Sequence, residues 1–503
     1  MRLLHLGLFN NVKQGIRICV LLFLWAAATT AARAQTFKAI HSFDGTDGEY
    51  DATSVPVQGL DGNLYGLMQT GGANQSGTAY KMTPAGELTT IYNFCPQSGC
   101  VDGQSPQGNL LQDVDGNFYG VTAGGGAAGD GTIFKITPSG ALTTLYSFCS
   151  QPECRDGAVP DAGLVLASDG NFYGTTEGSS LRVLGGTIFK LTPAGFLETL
   201  YNFCLEGSCI QSLFPSSLIQ GRDGSLYGTT QYGGNGAFCT ATGGCGEVYK
   251  ITPQGEFTML HAFCSEANCT DGVRPYAALV QGSDGDFYGT TDEGGDGAVC
   301  ESPGGCGTIF RITSDGIMTT LHSFCSLDSC ADGLYSQGSL IQATDGDLYG
   351  TSRQGGGLLD GVIFKITTQG KLTPLYRFDC PRVPCSGLDP YVGLVQDTDG
   401  TFYGVTNQGG FIGYGTVYDI STGLGPFVQT QAVSGSVGTM VNILGTNLTG
   451  ATGVSFDGTA AAFTVASSSL VTATVPAGAG SGYVTVTTPS GTLTSNQPFR
   501  VAP

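Results

Sequence analysis

The 503-residue sequence predicts an all-β fold, and three observations carry that reading. A six-residue phrase, Asp-Gly-x-(Leu/Phe)-Tyr-Gly, occurs seven times, beginning at Asp61, Asp115, Asp169, Asp223, Asp284, Asp345 and Asp399. Its spacings are 54, 54, 54, 61, 61 and 54 residues, the fixed period of a repeat architecture. Each repeat holds four strand-like segments, and the two ends of the repeat region carry complementary fragments of one repeat. Seven four-stranded sheets that bury their faces on one another make a seven-bladed β-propeller. The organisation expected is a targeting segment (1–34), a propeller closed by its N-terminal strand (35–422) and a small β-sandwich (423–503).

Residues 1–34 begin with Arg2, Lys13 and Arg17 ahead of an apolar run from Ile18 to Ala28, and Ala32-Arg33-Ala34 forms a small-x-small cleavage site. The run is short for a membrane span, so cleavage near Ala34 is expected, with the mature protein secreted, periplasmic or at the cell surface and no membrane span remaining. Cleavage leaves 16 basic against 40 acidic residues, a net charge of −24 that repels nucleic acid and anionic membranes. A monomer is expected.

The second full repeat shows the strand plan. Strands A and B, Asn109–Val114 and Asn117–Thr122, flank an Asp-Gly dipeptide, read as a two-residue type I′ hairpin. Strand C lies within Gly131–Pro138 and strand D within Leu142–Phe148. Phe37–Phe43 reads as a D strand with nothing before it, and Gly415–Ser421 as a C strand with nothing after it, so these two are expected to pair. In strand B a tyrosine precedes a glycine in every copy, and the ring of an adjacent blade is expected over that glycine. Strand C carries Lys81, Lys135, Lys190, Lys250, Arg311 and Lys365, with Asp419 in the seventh copy. Their aliphatic stems are expected to pack along the blade while the charge reaches an acidic neighbour, rather than to form a basic ligand ring.

Outside the targeting segment sixteen cysteines form eight close pairs: Cys95/Cys100, Cys149/Cys154, Cys204/Cys209, Cys239/Cys245, Cys264/Cys269, Cys300/Cys306, Cys325/Cys330 and Cys380/Cys385. In an exported chain these read as local disulfides, because zinc sites use shorter spacings and unite two pairs. Six pairs follow a D strand; the other two occupy B–C loops of the two 61-residue repeats. All eight therefore decorate one face, that of the D–A and B–C loops, and tight turns form the other.

Chemistry is sparse. His41, His261 and His322 occupy one D-strand position on separate blades, so a histidine mechanism is not expected. Asp47, Asp102, Asp156, Asp271 and Asp332 recur as Asp-Gly in D–A loops, where Asp-Gly is also a plain turn signal. Asp292, Glu293 and Asp296 share one B–C loop, and a carboxylate pair there would serve glycoside hydrolysis or calcium. Neither the stretch from Asp113 nor that from Asp397 completes a calcium loop, so no catalytic, cofactor or metal residue is assigned. Tyr232, Tyr276, Tyr335 and Tyr391 lie in or beside the same loops and, with those three acids, form the candidate ligand face.

From Phe427 to Val501 the composition shifts to short alternating strands without cysteine. Gly435, Gly438, Gly445, Asn447, Phe456, Pro476, Gly482, Pro489 and Phe499 give this segment a resemblance to the IPT/TIG immunoglobulin-like (Ig-like) family. Phrases such as "DGNFYGTTEG" and "GTIFKLTPAG" over residues 37–422 resemble the GloVer tandem-repeat proteins of exported bacterial origin. The strand layout is also similar to NHL-type propellers, which implies that strand A is innermost. These resemblances imply a surface or matrix protein and supply no catalytic residue. Two function classes follow: a non-catalytic binding or scaffold protein whose stapled face contacts a glycan or surface protein, the TIG domain acting as spacer or adhesion module, and an extracellular carbohydrate-active enzyme with carboxylates at the channel mouth.

Overall fold

Alternating apolar and small residues with a glycine-centred turn in every repeat leave the chain little choice but short antiparallel strands. The computed structural model describes residues 35–50, 53–178, 185–203, 214–234, 244–296, 300 and 305–502. Among them the protein is all-β, with three short 3-10 turns as its helical segments. Seven four-stranded antiparallel sheets fall between Thr36 and Ser421, in a propeller-like arrangement. Six follow the order A-B-C-D, as in Gln104–Gln112, Phe118–Gly124, Thr132–Ile136 and Leu142–Ser147. In the seventh, Val395–Gln396, Phe402–Thr406 and Thr416–Ser421 are completed by Thr36–Ser42. Thr36 lies opposite Ser421 and Ser42 opposite Thr416, so the expected pairing of the two ends is present.

The first five residues of strand B are buried in all seven sheets, because protein covers both faces there. Each sheet shares an apolar cluster with the next. Phe43, Tyr403 and Val417 of the seventh sheet meet Leu64, Met68 and Tyr80 of the first. A belt of glutamine side chains runs the same way. The Oε1 of Gln112, Gln220, Gln281, Gln342 and Gln396 each accepts a backbone N–H from the preceding sheet at 2.7–3.3 Å. Gln58 does the same for Thr398 of the seventh sheet. The third sheet carries Leu166 at that position, and Val114 N–H turns to Asp113 Oδ1 instead.

Two expectations change. The Asp-Gly turn is a three-residue loop: Gly62 N–H donates to Gly59 O and Gly59 N–H to Asn63 O. Only the glycine takes positive φ, +79° at Gly62, because Asp61 Oδ1 accepts Asn63 N–H and keeps its own backbone right-handed. The ring over each Tyr-Gly glycine comes from strand C of the same sheet, not from an adjacent one. Gly66 pairs with Tyr80 across the ladder, and a Cβ on Gly66 would lie 2.3 Å from the Tyr80 hydroxyl. The cross-strand neighbour is simply nearer than the next sheet.

The strand C lysines behave as expected. Lys81, Lys135, Lys190, Lys250 and Lys365 reach the turn aspartate of their own sheet at 2.7–3.3 Å, each ammonium over the strand B tyrosine.

The C-terminal residues form two further four-stranded sheets, built on Met440–Gly445 and Val484–Thr488, around one core that includes Val441, Val471, Phe456 and Phe499. This unit docks on the tight-turn face. Gln431 Nε2 donates to Gln112 O and Asp113 O at 3.0 and 2.8 Å. Ser469 Oγ donates to Leu60 O at 2.9 Å, and Arg500 Nη1 to Arg222 O at 2.8 Å.

Candidate functional site

Within each repeat the A–B hairpin folds about its Asp-Gly turn, so residues equally far before and after that turn return to the same rim. The rims opposite the turns meet at one place. There a cavity of about 450 Å³ opens, lined from all seven repeats. Eight residues before each turn aspartate stand Thr53, Gln107, Asp161, Pro215, Tyr276, Gln337 and Tyr391, and all seven line it. Eight residues after stand Gln69, Ala123, Glu177, Gln231, Asp292, Arg353 and Asn407. Five of these also line the cavity, and Asp292 joins them by accepting Gln337 Nε2 at 3.0 Å.

The two rings interact. Asp161 and Glu177 hydrogen-bond each other; burial raises both carboxyls, and the Asp161 charge raises Glu177 further, so the pair retains a shared proton. Burial likewise pushes Asp292 up to about 6, with Glu293 adding to it. Arg353 Nε donates to Asp389 Oδ1 at 2.9 Å while its guanidinium lies 5.7 Å from the Tyr391 ring centroid. Tyr276 and Tyr391 meet edge to face across the cavity, centroids 6.0 Å apart, and burial raises both phenols. Gln337 Oε1 is buried without a partner.

Of the seven candidate ligand residues, Tyr276, Asp292 and Tyr391 converge here. The other four do not. Glu293 pairs with Arg274 at 2.6 Å, whose guanidinium covers Tyr232. Tyr335 lines a separate, shallower depression with Glu293 and Cys330. Asp296 sits outward, its backbone N–H on Ser323 Oγ. The three that converge stand eight residues from a turn aspartate, the four that do not stand elsewhere. That offset also marks Asp161, Glu177, Gln231 and Arg353, which the sequence reading passed over.

The other polar candidates are structural. His41, His261 and His322 bind Asp47, Asp271 and Asp332 at 2.7–3.0 Å, on three different sheets. Tyr92 and Tyr146 hold Asp102 and Asp156 in the same way. Ser265 and Ser326 donate to the very aspartate oxygen that the histidine holds, so neither serine hands its proton to an imidazole. These carboxylates gather the N–H groups of the D–A loops. Six disulfides brace the loop face: Cys95–Cys100, Cys149–Cys154, Cys264–Cys269, Cys300–Cys306, Cys325–Cys330 and Cys380–Cys385. Cys245 is disulfide-bonded too, while Cys204, Cys209 and Cys239 lie outside the described residues. Cys245 shares an apolar cluster with Cys264 and Cys269, and the Cys300–Cys306 staple shares one with Cys325–Cys330.

The Gloeobacter/Verrucomicrobia repeat matches residues 28–241 and 214–471. The chain belongs to that family. No curated protein matches it. Among solved structures, the extracellular domain of a hybrid two-component system from B. thetaiotaomicron is 13% identical, covering 93% of this chain and 59% of its own, with a TM-score of 0.47. A luciferin-regenerating enzyme is 16% identical over 64% of this chain and 93% of its own, with a TM-score of 0.38. A PQQ-bound aldose sugar dehydrogenase from Streptomyces coelicolor is 13% identical over 63% of this chain and 94% of its own, with a TM-score of 0.36. Several such neighbours of the repeat family are enzymes, and at these identities no activity carries over. Among the described residues no helix is long and apolar enough to cross a membrane, and the disulfides fit an extracellular or periplasmic protein.

Proposed function

We propose that this chain is an exported protein that binds without turnover, built as a seven-bladed β-propeller closed by its N-terminal strand and carrying an IPT/TIG-type, Ig-like domain. Its ligand is a glycan segment seated in the axial cavity. One observation carries this reading: the two rings present neutral amides from Gln69, Gln107, Gln231, Gln337 and Asn407 beside Tyr276 and Tyr391. Amides exchange hydrogen bonds with hydroxyl groups in both directions, and tyrosine faces cover the apolar side of a sugar ring. The cavity volume falls in the range of small-ligand sites. Stapled loops hold the rim in place, so less entropy is lost on docking. The C-terminal unit, docked on the turn face, leaves the loop face free for the ligand.

The enzymatic reading rests on the raised carboxyls in a cleft. Asp161 and Glu177 are the closest acids, yet they hydrogen-bond each other, whereas glycoside hydrolysis separates its two carboxyls by about 5–9.5 Å. The test is a panel of soluble polysaccharides against the mature chain, scored for capture and for reducing ends. Tyr391→Ala and Gln231→Ala are expected to weaken capture about tenfold or more. Release of reducing ends, abolished by Asp292→Asn or Glu177→Gln, would overturn the binding reading; capture unchanged in both cavity variants would move the site elsewhere.

A further inference from the structure

The contact between the repeat sheets and the C-terminal unit is not fully packed. Polar contacts fix the unit to four turns: Ser469 to Leu60, Gln431 to Gln112 and Asp113, Arg500 to Arg222, and Thr446 Oγ1 to Thr398 Oγ1 at 2.9 Å. Beneath the fourth and fifth sheets a cavity of about 530 Å³ remains, with walls from both units. Ile219, Leu279 and Val280 form its wall on the repeat side, and Val433 and Phe499 its wall on the other. Leu279 and Phe499 each belong to a buried apolar cluster of their own unit, so the cavity lies between two cores.

Its polar lining is of two kinds. The amides of Gln220 and Gln281 are already spent: they accept the backbone N–H of Ser168 and Arg222 and donate to the turn carbonyls of Gly224 and Gly285. They leave nothing for a sugar hydroxyl. Arg222 and Arg500 differ. Both line the cavity and are exposed, and their hydrogen bonds end on neutral oxygens: Arg222 on Ser283 O and Gln497 Oε1 at 3.2 and 3.3 Å, Arg500 on Arg222 O at 2.8 Å. Among the described residues neither pairs with a carboxylate within 4.0 Å, and Asp223 beside Arg222 is taken by Lys250 and the Tyr227 hydroxyl. The position before the turn aspartate is uncharged in the other six sheets, so the repeat itself requires no cation there.

We propose that this cavity binds a fatty carboxylate, with its alkyl chain between Leu279 and Phe499 and its carboxylate held by Arg222 and Arg500. The volume lies in the range of small-ligand sites, and apolar walls hold water poorly. An alkyl chain removes that apolar surface from water, while guanidinium groups receive a carboxylate through paired N–H donors. A neutral hydrocarbon would leave both cations unanswered, and a glycan would leave hydroxyl groups without partners along the apolar walls. The bound chain would touch both units and add apolar contact to an interface held by hydrogen bonds, so occupancy would fix the C-terminal unit on the turn face. This site is separate from the cavity opposite the turns and independent of the glycan reading.

The test titrates octanoate, decanoate and dodecanoate, below micelle formation, into the mature chain by calorimetry near neutral pH, with 1-decanol as the uncharged control. One saturable site is expected, with affinity rising about tenfold or more per two-carbon step. Decanol is expected to bind about tenfold or more weaker than decanoate. Arg222→Ser installs the residue that Ser283 supplies in the next sheet and keeps the backbone contacts of Arg222. It is expected to fold and to lose about tenfold in decanoate affinity. Val433→Trp, at an exposed position of the lining, is expected to fill the cavity and abolish binding. No saturable binding of dodecanoate, decanol bound as tightly as decanoate, or undiminished binding in either folded variant would overturn the site.

Discussion

Phe43 offers the strictest test of ring closure. It follows the closing strand Thr36–Ser42, is 1% exposed, and meets Tyr80 of the first sheet edge to face at 5.9 Å. Phe148 holds the equivalent place after an ordinary strand D, is fully buried, and meets Phe189 of the next sheet at 5.3 Å. Truncating a buried phenylalanine to alanine costs about 3–5 kcal/mol, the lost transfer energy plus the cavity left behind. In a closed ring no seam is privileged, so Phe43→Ala and Phe148→Ala are expected to cost the same within about 1 kcal/mol. Residues after Trp25 contain no tryptophan, so urea unfolding is best followed by tyrosine near-ultraviolet circular dichroism. Were the N-terminal strand a loosely attached edge, Phe43→Ala would cost under about 1 kcal/mol, in the range of surface substitutions, while Phe148→Ala kept its full cost. That outcome would refute the closure argument, glutamine belt included.

Two further outcomes are expected. Non-reducing peptide mapping should find every cysteine cross-link within one loop, each closing a short ring worth about 2 kcal/mol in the chain-entropy model; cross-linked peptides joining different repeats would refute this. Because Glu177 is raised in the folded state, that state binds more protons than the unfolded chain above about pH 4.3, and stability falls as pH rises through this window. Glu177→Gln, which mimics the protonated member, should flatten the decline of Tm between pH 5 and 9; an unchanged slope would show that the pair carries no such linkage.

The repeat, the four strands of each unit and the complementary ends were all legible in the amino-acid order. Each depends on local periodicity or on one position recurring at a fixed spacing. The same holds for the cysteine pairs, whose partners are five or six residues apart, and for the lysine that finds the turn aspartate of its own hairpin. Repetition reports which positions are equivalent, but not which of them point at the axis. That is why Tyr276, Asp292 and Tyr391 stood in the sequence beside Tyr232 and Glu293 with nothing to separate them, and why Asp161, Glu177, Gln231 and Arg353 passed unnoticed. Only the folded ring, by returning both arms of every A–B hairpin to one rim, turned an offset of eight residues into a shared cavity. It likewise decided that the C-terminal unit sits on the turn face. Such choices depend on contacts between segments that carry no common pattern, so local sequence order holds no record of them.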